Sequence, residues 1–273
     1  MTHPTARFTS VYGPVQSWRY GRSLGIDPIG SVSTCSFDCV YCQLGGIDRK
    51  SCDRQIFIPT AQIAEDLQQF APWDVDVLTL SGSGEPTLAL NLGDIIETVK
   101  AIAHRPVGVL TNGSMLTNPT VRAELGLADW VAVKLDAISV AQFKRVNRPA
   151  DGMDLMEKWV GLYQFRQEYS GSLAIQTMML HPWSEWDQSY YIRLMQVLAP
   201  NEIQLNIPSR PRPLTHEADA RGNHLTDERP YLTKQLKLVS ADVLYKFGDR
   251  IQSITKIPVR YPKMTSPAIG AQS

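Results

Sequence analysis

The sequence predicts an α/β protein, and more specifically a partial (β/α)6 barrel. Apolar, β-rich runs alternate with helical patterns about six times between residues 30 and 207. The strand runs are mostly apolar rather than strictly alternating, which is typical of a parallel sheet that is buried on both faces. Because eight strand–helix repeats close a complete TIM-like barrel, six repeats indicate an incomplete one.

Six segments carry the strand pattern. They are short apolar runs that lie between stretches of helical spacing. The predicted strands, in chain order, are Gly30–Thr34, Val75–Ser81, Val107–Thr111, Trp130–Asp136, Leu173–Leu180 and Glu202–Ile207.

Helices are predicted between these strands. Thr60 and the pair Asn118-Pro119 have the residue types that begin helices. The predicted helices are Thr60–Phe70, Leu92–His104, Pro119–Leu125, Val140–Val146, Gly152–Tyr169 and Glu185–Leu198, and Asp227–Leu244 also has a helical pattern.

Both ends of the chain differ from this core. Residues 1–29 are predicted to be an irregular N-terminal extension, because Gly and Pro punctuate them, and residues 30–207 form the barrel. Pro208–Leu225 is a Pro-rich, polar break. Residues 208–273, with eleven Lys and Arg against six Asp and Glu, are predicted to be a C-terminal helical cap. Two alternatives remain for the cap, a solvated surface or a region that contributes to binding an anionic substrate.

Composition excludes several classes of protein. The 273 residues have zero net charge and are 43% hydrophobic, which is ordinary for a globular protein and excludes disorder as the main state. No stretch approaches the roughly 20 apolar residues of a membrane helix. The N-terminus lacks the apolar region of a secretory signal, so we expect a cytoplasmic protein with no membrane association. Neutral charge gives no global attraction to nucleic acid.

All four cysteines fall between residues 35 and 52. Cys35, Cys39 and Cys42 have the spacing C-x3-C-x2-C, which brings three thiolates onto one short loop and indicates a metal or cluster site rather than a disulfide framework. Three cysteines can ligate three irons of a four-iron cluster and leave one iron open to a substrate. A structural zinc site is the alternative, with Cys52 as its fourth ligand. Otherwise Cys52 packs as a small apolar residue.

The cysteine loop, with the aromatic Tyr41 directly before Cys42, resembles the signature of the radical S-adenosylmethionine (radical SAM) superfamily. This resemblance implies that Cys35, Cys39 and Cys42 ligate a 4Fe-4S cluster. It also implies that the reduced cluster cleaves S-adenosylmethionine to methionine and a 5′-deoxyadenosyl radical, which abstracts hydrogen from a substrate. An external one-electron donor of the flavodoxin or ferredoxin type is then the expected partner.

Further polar residues follow the other predicted strands. Ser83-Gly84-Glu85 matches the place where the superfamily has a Gly-Gly-Glu segment, with Ser83 replacing the first glycine. The resemblance implies that these residues bind the methionyl amino group. It likewise implies that Tyr41, Asn112 and Asp136 help to hold S-adenosylmethionine. Lys134 and Asp136 point the same way on one strand and need partners, so we expect a mutual or ligand-bridged ion pair.

A second resemblance covers roughly residues 11–210. Tyr12-Gly13-Pro14-Val15, the segment Arg19–Pro28 and Gln43-Leu44-Gly45 are similar to a bacterial and archaeal family of Fe–S oxidoreductases, itself similar to the radical enzymes of tRNA wybutosine synthesis. The resemblance makes RNA modification the leading candidate activity. Those enzymes carry a second cluster on upstream cysteines, and here no cysteine precedes Cys35. Two other functions are weighed against a radical enzyme: a non-enzymatic iron–sulfur electron carrier and a zinc-stabilised RNA-binding module.

Overall fold

The computed structural model describes residues 8–208, 210–221, 231–236 and 239–262, and an eight-stranded sheet organises them. The strands of this described part, in chain order, are β1 (Val11–Ser17), β2 (Gly21–Ile26), β3 (Thr34–Cys35), β4 (Arg49–Lys50), β5 (Val77–Leu80), β6 (Val107–Thr111), β7 (Trp130–Lys134), β8 (Ser172–Met178), β9 (Glu202–Asn206), β10 (Arg212–Pro213), β11 (Thr233–Lys234) and β12 (Val259–Arg260). Its α-helices are α1 (Thr60–Gln68), α2 (Leu92–Ala103), α3 (Pro119–Leu125), α4 (Val140–Val146), α5 (Leu155–Glu168), α6 (Glu185–Leu198) and α7 (Ala241–Thr255).

The main sheet has the order β1-β2-β5-β6-β7-β8-β9-β12. The strands from β2 to β12 run parallel, and β1 is an antiparallel edge strand paired with β2. A helix lies in each connection between neighbouring parallel strands. This is the predicted partial (β/α)6 barrel, with β2, β5, β6, β7, β8 and β9 as its six strands.

The strands are buried on both faces, as their apolar composition predicts. On β5, all four residues are buried. One face of each strand contributes Leu, Ile or Val to the core under the helices, as Leu78, Val131 and Ile203 do. Full burial of such a side chain contributes about 1.5–3 kcal/mol to folding.

An aromatic pair packs at the N-terminal end of β7. Trp130, the first residue of β7, stacks on Tyr20 with ring centroids 3.6 Å apart. Gly108 makes room for the indole, because a Cβ atom there would lie 1.8 Å from Trp130. Together with Val77, Ala132 and Ala174, this pair forms a small apolar cluster on the sheet.

One predicted strand is wrong. We expected the first barrel strand at Gly30–Thr34, but the first parallel strand is β2, which lies in the segment predicted to be irregular. Thr34 and Cys35 pair instead with β4 in a separate two-stranded sheet. The physical reason is that small residues form half of β2. Ser23 bonds to Thr79 at 2.7 Å, and Gly25 leaves space for the ring of Tyr12, so β2 lacks a continuous apolar run.

The predicted C-terminal helix Asp227–Leu244 is also wrong where the structure describes it. Residues 227–230 and 237–238 lie outside the described residues, Thr233 and Lys234 form β11, and the helix begins only at Ala241. Ser240 caps α7, and the helix packs with its apolar face, formed by Leu244, Phe247 and Ile251, buried. The division into residues 1–29, 30–207 and 208–273 stays a prediction. The sheet itself takes strands from each of these segments.

The other helices follow the predicted positions. α3, α4 and α6 have the predicted bounds, and α1, α2 and α5 differ by at most three residues at an end. Asn118 caps α3 through its side chain, as expected, whereas Thr60 follows a proline and its helix has no side-chain cap. Every helix in the described part of the chain falls short of the length and hydrophobicity that crossing a bilayer requires.

Candidate active site

The cysteine loop lies between β3 and β4 and folds into tight turns. The Cys42 amide donates to the Cys39 carbonyl at 3.0 Å, and the Gly45 amide donates to the Cys42 carbonyl at 3.1 Å. Burial raises the pKa of the Cys39 thiol to about 12, and it raises the pKa values of Cys35 and Cys42 as well. Buried sulfurs of this kind are stabilised as thiolates when they ligate a cation.

Cys52 stands apart from the other three cysteines. Cys39 and Cys42 both contribute to raising the pKa of Cys35, whereas burial and Asp53 raise the pKa of Cys52. Among the described residues, no three His, Cys, Asp or Glu side chains converge on the position of a single metal ion. Ligands of a four-iron cluster bind different irons, so the three loop cysteines fit a cluster by their number and chemistry.

The glycine loop that follows β5 lies directly on the strand that leads into Cys35. The Glu85 amide donates to the Thr34 carbonyl at 3.1 Å. A Cβ atom on Gly84 would lie 1.8 Å from that same carbonyl oxygen, so the contact requires glycine. The fold therefore brings Ser83-Gly84-Glu85 against the cysteine loop.

Glu85 joins the ends of two strands through its buried carboxylate. One oxygen accepts from the Thr87 amide, the Thr87 hydroxyl and the Thr111 hydroxyl, at 3.1, 2.7 and 2.5 Å. The other accepts from the Asn112 amide at 2.7 Å. Burial raises the pKa of Glu85, and these four donors act against that shift. The cofactor contact predicted for Glu85 stays a prediction, and the contacts in this structure are internal.

Asn112 turns its side chain to the cysteine loop. Its Nδ2 donates to Ser36 Oγ at 2.9 Å and to Cys35 Sγ at 3.5 Å. Its Oδ1 accepts from the Ser114 amide at 2.8 Å. Asn112 therefore lies beside a predicted cluster ligand.

Asp136 is the centre of a second buried network. Tyr41 donates its phenol proton to Asp136 Oδ2, and the Met178 amide donates to Oδ1 at 2.8 Å. The predicted ion pair is present, with Lys134 Nζ 3.5 Å from Asp136 Oδ1. Lys134 Nζ also lies 4.7 Å from the centroid of the Tyr41 ring. The fold thus connects the two predicted residues Tyr41 and Asp136 directly.

Asn147 belongs to this network, although the sequence does not predict it. It follows α4, is buried, and donates from Nδ2 to Asp136 Oδ2 at 2.9 Å and to Cys39 Sγ at 3.5 Å. No motif marks this asparagine, because Cys39 lies 108 positions away in the sequence.

The fully buried Asp27 was also missed, and it accounts for the serine that replaces a glycine. Asp27 Oδ2 accepts from the Ser83 amide at 2.9 Å and from the Ser83 hydroxyl at 2.6 Å. The same oxygen lies 2.8 Å from Arg221 Nη1. Asp27 therefore holds the loop through both the amide and the hydroxyl of Ser83. A glycine at this position could bond to Asp27 only through its amide.

A buried lysine lies between the two networks. Lys158 is 4% exposed and donates from Nζ to the Lys134 carbonyl at 2.6 Å. Burial lowers its pKa to about 8, against the influence of Asp136 and Glu85. Its place on α5, among charged neighbours in sequence, gave no sign of burial.

The C-terminal segment packs against the cysteine loop. Arg212 donates to the Gly45 carbonyl at 3.1 Å, and the Glu217 amide donates to the Leu44 carbonyl at 2.9 Å. A Cβ atom on Gly45 would lie 2.0 Å from the Thr215 carbonyl oxygen. This segment covers one side of the predicted cluster loop.

Comparison with known proteins gives a consistent result. The family model of the radical SAM superfamily matches residues 30–183. The chain is 52% identical to a UPF0026 protein of Synechocystis over 93% of this chain and 96% of the relative. It is 29% identical to a probable GTP 3',8-cyclase of Saccharolobus islandicus over 51% of this chain and 42% of the relative.

Two solved structures share the fold. Streptococcus suis SuiB bound to S-adenosylmethionine aligns with a TM-score of 0.58 at 11% identity, covering 87% of this chain and 46% of that one. A radical SAM methyltransferase from Sphaerobacter thermophilus aligns with a TM-score of 0.56 at 15% identity, covering 89% of this chain and 67% of that one. At these identities the likeness concerns the fold alone.

Proposed function

This chain belongs to the radical SAM superfamily and to the UPF0026 family, and we propose that it starts a radical reaction at the buried cysteine loop. As a member of that superfamily it is an enzyme, and the cofactors of the superfamily are a 4Fe-4S cluster and S-adenosylmethionine. Those cofactors, when bound, supply hydrogen-atom abstraction that begins with reductive cleavage of S-adenosylmethionine.

The observation that carries the proposal is that residues after β6 and after β7 both reach the cysteine loop. Cys35 ends β3, and Cys39 and Cys42 follow it in the loop that leads to β4. Asn112, after β6, touches Cys35, and Asp136, after β7, is joined to Cys39 through Asn147. In barrels of this class the active site lies at the C-terminal ends of the strands, and Asn112 and Asp136 follow the ends of β6 and β7.

We assign the cluster to Cys35, Cys39 and Cys42. Their chemistry supports this, because cysteine thiolates are the ligands of iron–sulfur clusters. Three thiolates would leave the fourth iron of the cluster open to a ligand from outside the protein. Cys52 is not assigned a role in the site.

We assign S-adenosylmethionine to the surface made by Tyr41, Ser83, Gly84, Glu85, Asn112 and Asp136. The chain's own contribution is to fix these groups before the cofactor binds. Asp27 holds Ser83, Glu85 holds the turn at Asn112, and Asp136 holds the Tyr41 phenol. Such preorganisation lowers the entropic cost of placing a ligand.

The substrate proposed from the resemblance to the wybutosine enzymes is RNA. The basic balance of residues 208–273 supports it, because Lys and Arg attract phosphate groups. Radical SAM enzymes take their electron from an external donor, and here we propose a flavodoxin or ferredoxin.

Anaerobic reconstitution tests the reaction. The protein is loaded with iron and sulfide, mixed with dithionite and S-adenosylmethionine, and assayed for 5′-deoxyadenosine by chromatography. We expect 5′-deoxyadenosine from the natural protein and from Cys52→Ala, and none from Cys39→Ala. Stoichiometric zinc in place of iron would overturn the assignment, and a stable cluster without cleavage would favour the electron carrier.

A further inference from the structure

Two buried asparagines place side-chain amides on two predicted cluster ligands. Asn112 Nδ2 lies 3.5 Å from Cys35 Sγ, and Asn147 Nδ2 lies 3.5 Å from Cys39 Sγ. The asparagines are 7% and 3% exposed. Neither contact belongs to the cysteine motif, and the two come from different strand–helix units of the barrel.

The surroundings settle which end of each amide faces the sulfur. Asn112 Oδ1 accepts from the Ser114 amide, so its NH2 group faces Cys35 and Ser36. Asn147 Nδ2 lies 2.9 Å from Oδ2 of Asp136. An ionised carboxylate accepts hydrogen bonds and donates none, so the NH2 group of Asn147 faces Asp136 and Cys39. Each NH2 group therefore gives one hydrogen to an oxygen and one to a sulfur.

The main chain holds Asn147 at the loop independently of its side chain. The Asp38 amide donates to the Asn147 carbonyl at 3.1 Å, the Val40 amide to the Val146 carbonyl at 2.9 Å, and the Ala150 amide to the Ser36 carbonyl at 2.8 Å. These three bonds join residues 146–150 to the cysteine loop. Loss of the Asn147 side chain therefore leaves the loop with its main-chain support.

A hydrogen bond to a cluster sulfur stabilises the state with more negative charge on the cluster. Hydrogen bonds to sulfur and burial are among the factors that set the potential of an iron–sulfur cluster. Reduction adds one negative charge, so donors on the ligating sulfurs favour the reduced cluster and raise its midpoint potential.

We propose that Asn112 and Asn147 are positioning residues that raise the reduction potential of the cluster by donating to Cys35 and Cys39. This inference rests on the proposed function, because it needs the cluster on those cysteines. It assigns to Asn112 a role on the cluster itself, and it gives the unmarked Asn147 a function.

The test is a redox titration of the reconstituted protein, followed by EPR and done without S-adenosylmethionine. We expect Asn112→Leu and Asn147→Leu each to bind the full iron content and to have a more negative midpoint potential than the natural protein. Asn112→Leu is the cleaner variant, because its NH2 group otherwise bonds to the neutral Ser36 hydroxyl, whereas that of Asn147 bonds to the Asp136 carboxylate. Asn91→Leu is the matched control, since the side-chain NH2 group of the buried Asn91 bonds, within the described part of the chain, to the Ile58 carbonyl and the Thr60 hydroxyl and to no sulfur. Its potential should be unchanged.

Unchanged potentials in both Leu variants at full iron content would overturn the inference and leave the proposed function standing. A natural protein that assembles no cluster would defeat the proposed function instead. If the Leu variants fail to assemble, the natural protein with nitrogen-15 only in asparagine side-chain amides decides the matter. Hyperfine spectroscopy of its reduced cluster should then show a nitrogen-15 coupling, and its absence would overturn the inference.

Discussion

Arg221 and Asp27 form a buried ion pair that ties the C-terminal segment to the glycine loop. Arg221 Nη1 lies 2.8 Å from Asp27 Oδ2, and the two side chains are 10% and 0% exposed. Arg221 also lies over the rings of Phe8 and Tyr12. Since Ser83 bonds to the same carboxylate oxygen, the pair positions the loop that we assign to S-adenosylmethionine.

Asp27→Asn should destabilise the protein strongly. The change keeps the shape of the side chain but removes the negative charge with which Arg221 pairs, and removing one partner of a buried ion pair costs about 3–5 kcal/mol. Urea unfolding of the variant and the natural protein measures the difference. Asp74→Asn is the control, because Asp74 and its partner Arg22 are 84% and 48% exposed and such a pair contributes at most about 1 kcal/mol. Equal losses in the two variants would contradict the importance of the buried pair.

Gly84→Ala should separate the glycine loop from the cysteine loop. The added Cβ atom would lie 1.8 Å from the Thr34 carbonyl oxygen, and backbone atoms cannot move aside without moving Cys35. We expect lower iron content after reconstitution and weaker binding of S-adenosylmethionine, measured by iron analysis and calorimetry. Gly46→Ala is the control, since a Cβ atom there meets nothing within 4 Å. Normal iron content and binding in Gly84→Ala would show that the two loops do not depend on this contact.

Asp136→Leu should disturb the site chiefly because it removes a buried acceptor. The carboxylate accepts from Tyr41, Asn147 and the Met178 amide and pairs with Lys134. Its removal therefore takes a shared acceptor from several buried donors and a counter-charge from Lys134. We expect a loss of at least about 3 kcal/mol of stability and of S-adenosylmethionine binding. Asp94→Leu, on the first turn of α2, provides a comparison at a carboxylate outside these networks. Retention of binding by Asp136→Leu would remove Asp136 from the assigned surface.

Most of the barrel could be predicted from local patterns. β6 and the helices α3, α4 and α6 have their predicted bounds, because apolar spacing and capping residues act within a few positions of the chain. β2 could not be predicted this way. Its Ser23 and Gly25 fit a sheet only because Thr79 and the Tyr12 ring lie opposite them, and those partners come from other strands.

The candidate site likewise contains residues that the local sequence predicts and residues that it does not. The cysteines, Glu85 and the Lys134–Asp136 pair stand in recognisable local contexts, so their candidacy could be argued from the sequence. Asn147 is 108 positions from the cysteine it touches, and Asp27 is 56 from Ser83. Residues that support a site from across the fold carry no local signal, since only the folded chain brings them together.

Lys158 predicts how stability depends on pH. Its pKa is 10.5 in the unfolded chain and about 8 in the folded protein, because burial disfavours the charged amine. As the pH falls from 10.5 to 8, the unfolded chain takes up a proton before the folded protein does, so stability falls across this window. Below pH 8 both states are protonated and the cost stays constant.

Lys158→Met should therefore be more stable than the natural protein at neutral pH. One pKa unit corresponds to about 1.36 kcal/mol, so removing the buried amine relieves a cost of about 3 kcal/mol. The lost bond to the Lys134 carbonyl offsets about 1 kcal/mol of this gain in stability. Urea unfolding between pH 7 and pH 10 should show the advantage of the variant shrinking as the pH rises from 8. Gln167→Met, an exposed and uncharged position on the same helix, should show no such trend. A constant difference between Lys158→Met and the natural protein over this range would mean that Lys158 is charged throughout, held by Asp136 and Glu85 in spite of its burial.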